Sequence, residues 1–133
     1  MASTLSVCLV DDAADYRFLV ETIFERFLPD YSLRLFDSGR AFLDALPQLG
    51  DKPNLVLLDQ HMPGWSGYQT LVALKQQTGY RSIPVVMMSA DSSHSEVSSF
   101  YQAGAATFLA KPTDFDALKE TLLAACQYAS KPR

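Results

Sequence analysis

Leu55-Val56-Leu57-Leu58 is an unbroken aliphatic run that stops at a carboxylate, Asp59. It is too short for an ordinary helix and has no polar alternation, so it reads as a strand buried on both faces. Such strands belong to parallel sheets covered by helices on both sides. A Pro63-Gly64 turn and a second glycine, Gly67, follow before an amphipathic stretch resumes. In a sheet of this kind ligands bind at the carboxyl ends of the strands, which puts Asp59 at the mouth of the fold. A single acid there is commonly a turn former or helix cap. Its meaning rests on what the other strands end in.

The rest of the chain supplies those strands. Leu5 to Val10 reads as a first buried strand and ends in Asp11-Asp12. Ser32 to Phe36 alternates polar and apolar, as an edge strand does. Ile83 to Met88 is a buried strand stopping at Ser89, and Thr107 to Ala110 is the last, followed by Lys111-Pro112. Between them lie helical patterns. One starts at Asp12 or Ala13, carries Tyr16, Val20, Ile23, Phe24 and Phe27 on its core face, and stops before Pro29. Ala41 to Leu46 is a short helix ahead of Pro47, and Tyr68 to Gln77 a longer one with Leu71, Val72 and Leu74 inward and Gly79 at a C-cap position.

Ser92 to Gln102 sets Val97, Phe100 and Tyr101 on one face and ends at Gly104, but its many serines make it the weakest helix. Thr113 and Asp116 resemble a capping box opening a final helix, with Leu118, Leu122 and Ala125 inward. Strand and helix alternate five times, which calls for a five-stranded parallel α/β sheet with five helices.

Composition narrows the class. A chain of 133 residues, 48% hydrophobic and 20% charged, suits a single globular domain over residues 1–133 and not a disordered segment. The formal charge of −4 gives no basic footprint for nucleic acid, and no apolar run is long enough for a membrane. The start, MASTLSVCLVDD, lacks the features of a signal peptide. Cys8 and Cys126 read as reduced core thiols, in keeping with a cytoplasmic protein.

Right-handed crossovers bring Asp11-Asp12, Asp59, Ser89 and Lys111 to one edge of the sheet. Crowded carboxylates repel, so they either hold a proton or recruit a cation. Oxygen-only ligands with room for water suit Mg²⁺. A carboxylate beside that ion is a competent nucleophile toward phosphorus, with Lys111 offering positive charge and Ser89 a hydroxyl to phosphoryl oxygens.

With these residues in place, the chain resembles over essentially its whole length the receiver domain of two-component response regulators, of the chemotaxis-regulator kind. The family's acidic pair corresponds to Asp11 and Asp12, and its phosphoacceptor to Asp59 in LLDQHMPGWSG. Its hydroxyl switch residue corresponds to Ser89 in IPVVMMSA, its aromatic switch to Phe108, and its Lys-Pro motif to Lys111-Pro112 in AGAATFLAKP. The resemblance implies Mg²⁺ held by Asp12, Asp59 and the backbone carbonyl of His61, with Asp11 acting through water. It also implies a flavodoxin-like strand order 2-1-3-4-5, a cis Lys111-Pro112 bond, and a histidine kinase or histidine phosphotransfer protein as donor.

Ser66 and Trp65 stand where the family often has an acid and a methionine, and Phe108 lacks the phenol of the commoner tyrosine. A dehalogenase-type phosphohydrolase would need a second acid two residues past its nucleophile, where this chain has Ala13 or Ala14. A flavin carrier would find its phosphate repelled by Asp11-Asp12, and a pseudo-receiver would not need the intact acid, hydroxyl and lysine set.

Three further residues border the site. His61 lies two residues past Asp59 and Asp91 two past Ser89, positions that in this family flank the path of attacking water. The expectation is a His61–Asp91 lid that slows hydrolysis, with Trp65 adding cover or meeting a partner. Output is expected through the 92–102 helix, the last strand and the last helix, toward a protein target. No DNA-binding or enzymatic effector is expected in these residues.

Overall fold

A computed structural model describes residues 5–130. The first four residues of the stretch read for a signal peptide lie outside them, as do residues 131–133. The elements are β1 (Leu5–Val10), α1 (Ala14–Phe27), β2 (Tyr31–Phe36), α2 (Gly39–Ala45) with a 3₁₀ turn at Leu46–Gln48, β3 (Leu55–Asp59), α3 (Gly67–Gln76), β4 (Val85–Ser89), α4 (His94–Gln102), β5 (Thr107–Ala110) and α5 (Phe115–Ser130). The strands form one parallel sheet in the order β2-β1-β3-β4-β5, the flavodoxin-like arrangement.

The period of two along each strand divides the core into two layers. Leu55 and Leu57 of β3 pack with Val20, Ile23, Leu118 and Leu122 of α1 and α5. Val56 and Leu58 face the other way, against Phe42, Leu71, Leu74 and Phe100 of α2, α3 and α4. All five residues of β3 and all five of β4 are buried, because those strands have both neighbours and both faces covered. Strand β2 has one neighbour and alternates between half-buried and exposed positions. Cys8 and Cys126 are buried and form no disulfide. No helix among the described residues is long and apolar enough to cross a membrane.

Several local expectations are corrected. Phe27 is 41% exposed, and Leu28 takes the core position at the end of α1. Phe27 instead meets Phe115 of α5 edge-on at 6.4 Å and carries the Lys119 ammonium over its ring at 4.7 Å. Periodicity sets the direction of an apolar face but not where the neighbouring helix stops covering it. Helix α3 ends at Gln76 with Gln77 extended, and Gly79 has none of the positive φ of a left-handed cap.

Helix α5 is capped by Asp114, whose carboxylate accepts from the Ala117 amide at 2.9 Å; Thr113 stands one residue too early. The Lys111-Pro112 bond is trans, since no cis bond occurs among the described residues. The trans form keeps an advantage of about 0.5–1 kcal/mol even before proline. Of the serines around α4, Ser93 stands outside the helix as its N-cap, where serine is favoured, in a capping box with Glu96.

Candidate functional site

The floor of the site is built by strand ends in register. Val10 lies beside Leu58 and Asp59 beside Met88, so Asp11 and Asp59 emerge at the same level. The ladder continues past the strands through Gln60 N–H to Met88 O and Lys111 N–H to Ser89 O, both 3.0 Å. The backbone after Asp59 is then locked from outside. Gly67 opens α3 so close to β3 that a Cβ there would strike the Asp59 carbonyl and lie 2.8 Å from Gln60 Cα. Its amide donates to Gln60 O at 3.0 Å, and Tyr68 N–H donates to the Gln60 side chain at 2.7 Å. Gly64, at φ +74°, makes the turn that only glycine enters cheaply.

Oxygens of Asp11, Asp12 and Asp59 all lie within 4.8 Å of one another. Asp11 is buried, with Oδ1 accepting from the Ala13 amide at 2.9 Å and Oδ2 accepting from Lys111 Nζ at 2.8 Å. Lys111 Nζ is also 3.5 Å from Asp59 Oδ1, so one ammonium spans two buried acids and leans toward Asp11. Asp12 is exposed at the edge of the group. Burial pushes the Asp59 carboxyl up to about 6, helped by the charges of Asp11 and Asp12; Lys111 offsets part of the rise. Three acids against one lysine leave an excess of negative charge on an all-oxygen donor set, which fits a hard divalent cation and not a softer one.

Around this floor, Ser89 is buried at the end of β4, and its hydroxyl accepts from the Asp91 amide at a long 3.4 Å. His61 Nε2 and Asp91 Oδ1 meet at 3.1 Å, joining the loop after β3 to the loop after β4 with both side chains largely exposed. Trp65 lies under the Arg40 guanidinium, 5.5 Å from its ring, and lines a groove of about 410 Å³ along α3 with Tyr68, Gln69 and Val72. That groups it with the α2–α3 surface. Phe108 is half-buried, 6.0 Å from the Phe100 ring, and its amide donates to the Tyr101 hydroxyl at 3.1 Å.

Some participants escape the sequence reading. Tyr16, assigned there only to a core face, puts its ring 4.0 Å from Lys111 Nζ. Tyr101 closes a backbone amide of β5, and Gln60 caps α3. The Ser66–Gln69 capping box that starts α3 had a legible S-x-x-Q signal. The other three had none, because each depends on a neighbour distant in sequence or on the path of a loop.

The profile of the response regulator receiver domain matches residues 7–123. The chain therefore belongs to that family, and it is a receiver domain of two-component response regulators, a phosphoacceptor signalling domain. It is 30% identical over 140 residues to the two-component response regulator ARR5 of Arabidopsis thaliana, covering 96% of this chain and 75% of that one. It is 33% identical over 108 residues to ORR7 of Oryza sativa subsp. japonica, covering 80% of this chain and 49% of that one. The chain thus spans about half the length of the rice relative. In fold it is similar to the Mn(2+)-bound form of response regulator Rcp1, with a TM-score of 0.84 over 97% of each chain at 24% identity. It is also similar to the Vibrio cholerae chemotaxis protein CheY4, with a TM-score of 0.78 over 92% of this chain and 98% of that one at 23% identity.

Proposed function

We propose that Asp59 is the phosphoacceptor. The observation that carries this is one buried strand-end carboxylate grouped with Asp11 and Asp12 and reached by Lys111. An Asp59 oxygen attacks the phosphorus of a phosphohistidine, the P–N bond breaks, and its electron pair returns to the donor imidazole, which takes up a proton. The donor is a sensor histidine kinase or a histidine phosphotransfer protein. Lys111 Nζ, already 3.5 Å from Asp59, pairs with the phosphoryl oxygens as they arrive, and the Ser89 hydroxyl donates to one of them.

Asp12, Asp59 and the His61 carbonyl would hold Mg²⁺, with Asp11 acting through water; the close set of carboxylate oxygens supports this. When bound, the ion neutralises charge as an anionic donor approaches. The chain is not an enzyme acting on a separate substrate: it promotes its own phosphorylation and dephosphorylation.

On this reading the His61–Asp91 pair restricts water at the rim and lengthens the life of the phosphoryl group. Phosphorylation draws Ser89 toward the site, and Phe108 turns into the space released. The surface of α4, β5 and α5 then favours a downstream protein through a shift between pre-existing conformations. Buried cysteines outside any disulfide and a formal charge of −4 support one cytoplasmic domain over residues 1–133 that contacts neither nucleic acid nor membrane.

The test is intact-mass measurement after acetyl phosphate or phosphoramidate. One added phosphoryl group is expected in wild type with Mg²⁺, and none in Asp59→Asn or in chelator. Equal labelling of Asp59→Asn would overturn the assignment.

A further inference from the structure

Lys111 carries the only ammonium at the centre of the described site, on a flexible four-carbon stem, and phosphoryl transfer needs that charge in one place. Two carboxylates draw it from one side, Asp11 at 2.8 Å and Asp59 at 3.5 Å. The face of Tyr16 receives it from another, with Nζ 4.0 Å from the ring centroid. Tyr16 stands in the first turn of α1, and helical side chains lean toward the helix N-terminus. Its ring therefore reaches back over the strand ends, while its edge packs on the α1–α5 core layer. The Tyr16 hydroxyl is buried with no hydrogen-bond partner among the described residues, so the ring is what the contact uses.

Resting on the assignment of Asp59 as acceptor, we propose that Tyr16 is a positioning residue, its aromatic face holding the Lys111 ammonium where the incoming phosphoryl oxygens will be. A cation over an aromatic face is attracted by the ring quadrupole, more strongly as water is excluded, and Lys111 is 17% exposed. An aliphatic side chain of similar bulk fills the same core space without that attraction. Tyr16 is thus set apart from a residue that only packs: any aromatic ring suffices, no aliphatic does, and Lys111 is required for the difference to appear.

Wild type, Tyr16→Phe and Tyr16→Leu are compared, each with Lys111 intact and as Lys111→Ala. Three readouts are taken: the rate of acetyl phosphate labelling at fixed Mg²⁺, the proton shift of the Lys111 ε-methylene in metal-free protein, and the melting temperature. Tyr16→Phe is expected to label at the wild-type rate and to keep the upfield ring-current shift of the methylene. Tyr16→Leu is expected to label roughly three- to tenfold more slowly, with the methylene returning to its ordinary position. In the Lys111→Ala background the leucine change is expected to add nothing.

Wild-type labelling by Tyr16→Leu would overturn the proposal, as would an equal loss from it with and without Lys111. An unchanged methylene shift in Tyr16→Leu would overturn it even if the double variants did not fold. Labelling that persists in Asp59→Asn removes the acceptor assignment instead, and the methylene shift then still decides whether the ring holds Lys111.

Discussion

Two side-chain clusters in this domain make contacts of similar length in opposite surroundings. At the floor, Lys111 lies 2.8 Å from Asp11 and 3.5 Å from Asp59, with side chains 17%, 1% and 6% exposed. At the rim, His61 and Asp91 meet at 3.1 Å with 53% and 82% exposed. Distance alone would rank them together. Burial separates them, because a desolvated charge that loses its partner cannot fall back on water, whereas an exposed one can. The floor contact is therefore the costlier of the two to break.

Removing the floor cation should have the largest effect. Lys111→Met is expected to lower stability by about 2–3 kcal/mol at neutral pH without metal, since it leaves two buried acids unneutralised. Millimolar Mg²⁺ should raise the melting temperature of this variant more than that of wild type. Equal shifts would show that Lys111 does not neutralise the floor.

Next comes the backbone lock. Gly67→Ala is expected to cost about 2 kcal/mol in denaturant unfolding, because its methyl would push on the Asp59 carbonyl. Gly64→Ala, in the same loop but with open space around it, should cost about 1 kcal/mol from its positive φ alone. Labelling of Asp59 should slow only in the first, where the acceptor itself is displaced.

A smaller change of opposite sign is expected for Asp59→Asn in chelator. The folded Asp59 carboxyl, raised from 3.8 to about 6, binds its proton more tightly than the unfolded one. Stability from this group is present below about pH 4 and lost as pH rises through about 6. The amide should therefore stabilise the fold by about 1–2 kcal/mol at pH 7, and by nothing near pH 4. A pH-independent gain would point to packing and not to charge.

The rim should respond least. His61→Ala is expected to change stability by less than about 0.5 kcal/mol while shortening the phosphoryl lifetime severalfold, read by loss of label after donor removal. A stability loss as large as that of Lys111→Met would erase the distinction between floor and rim.

Reading the chain alone reached the strand ends because their signal is local. An aliphatic run such as Leu55–Leu58 has to be buried on both faces, and the residue that ends it has to stand at the sheet edge. Alternation of strand and helix then leaves few topologies. Helix caps are also local, and the Ser66–Gln69 and Ser93–Glu96 boxes were there to be found. At α5 the choice between Thr113 and Asp114 depended on how the chain leaves β5.

The tertiary structure decided what depends on a second element. Phe27 meets the first turn of α5 only at its ring edge and stays 41% exposed, and Tyr16 at the start of α1 meets Lys111 at the end of β5 across 95 residues. Side-chain periodicity carries the direction of a face, and only packing supplies the group that meets it.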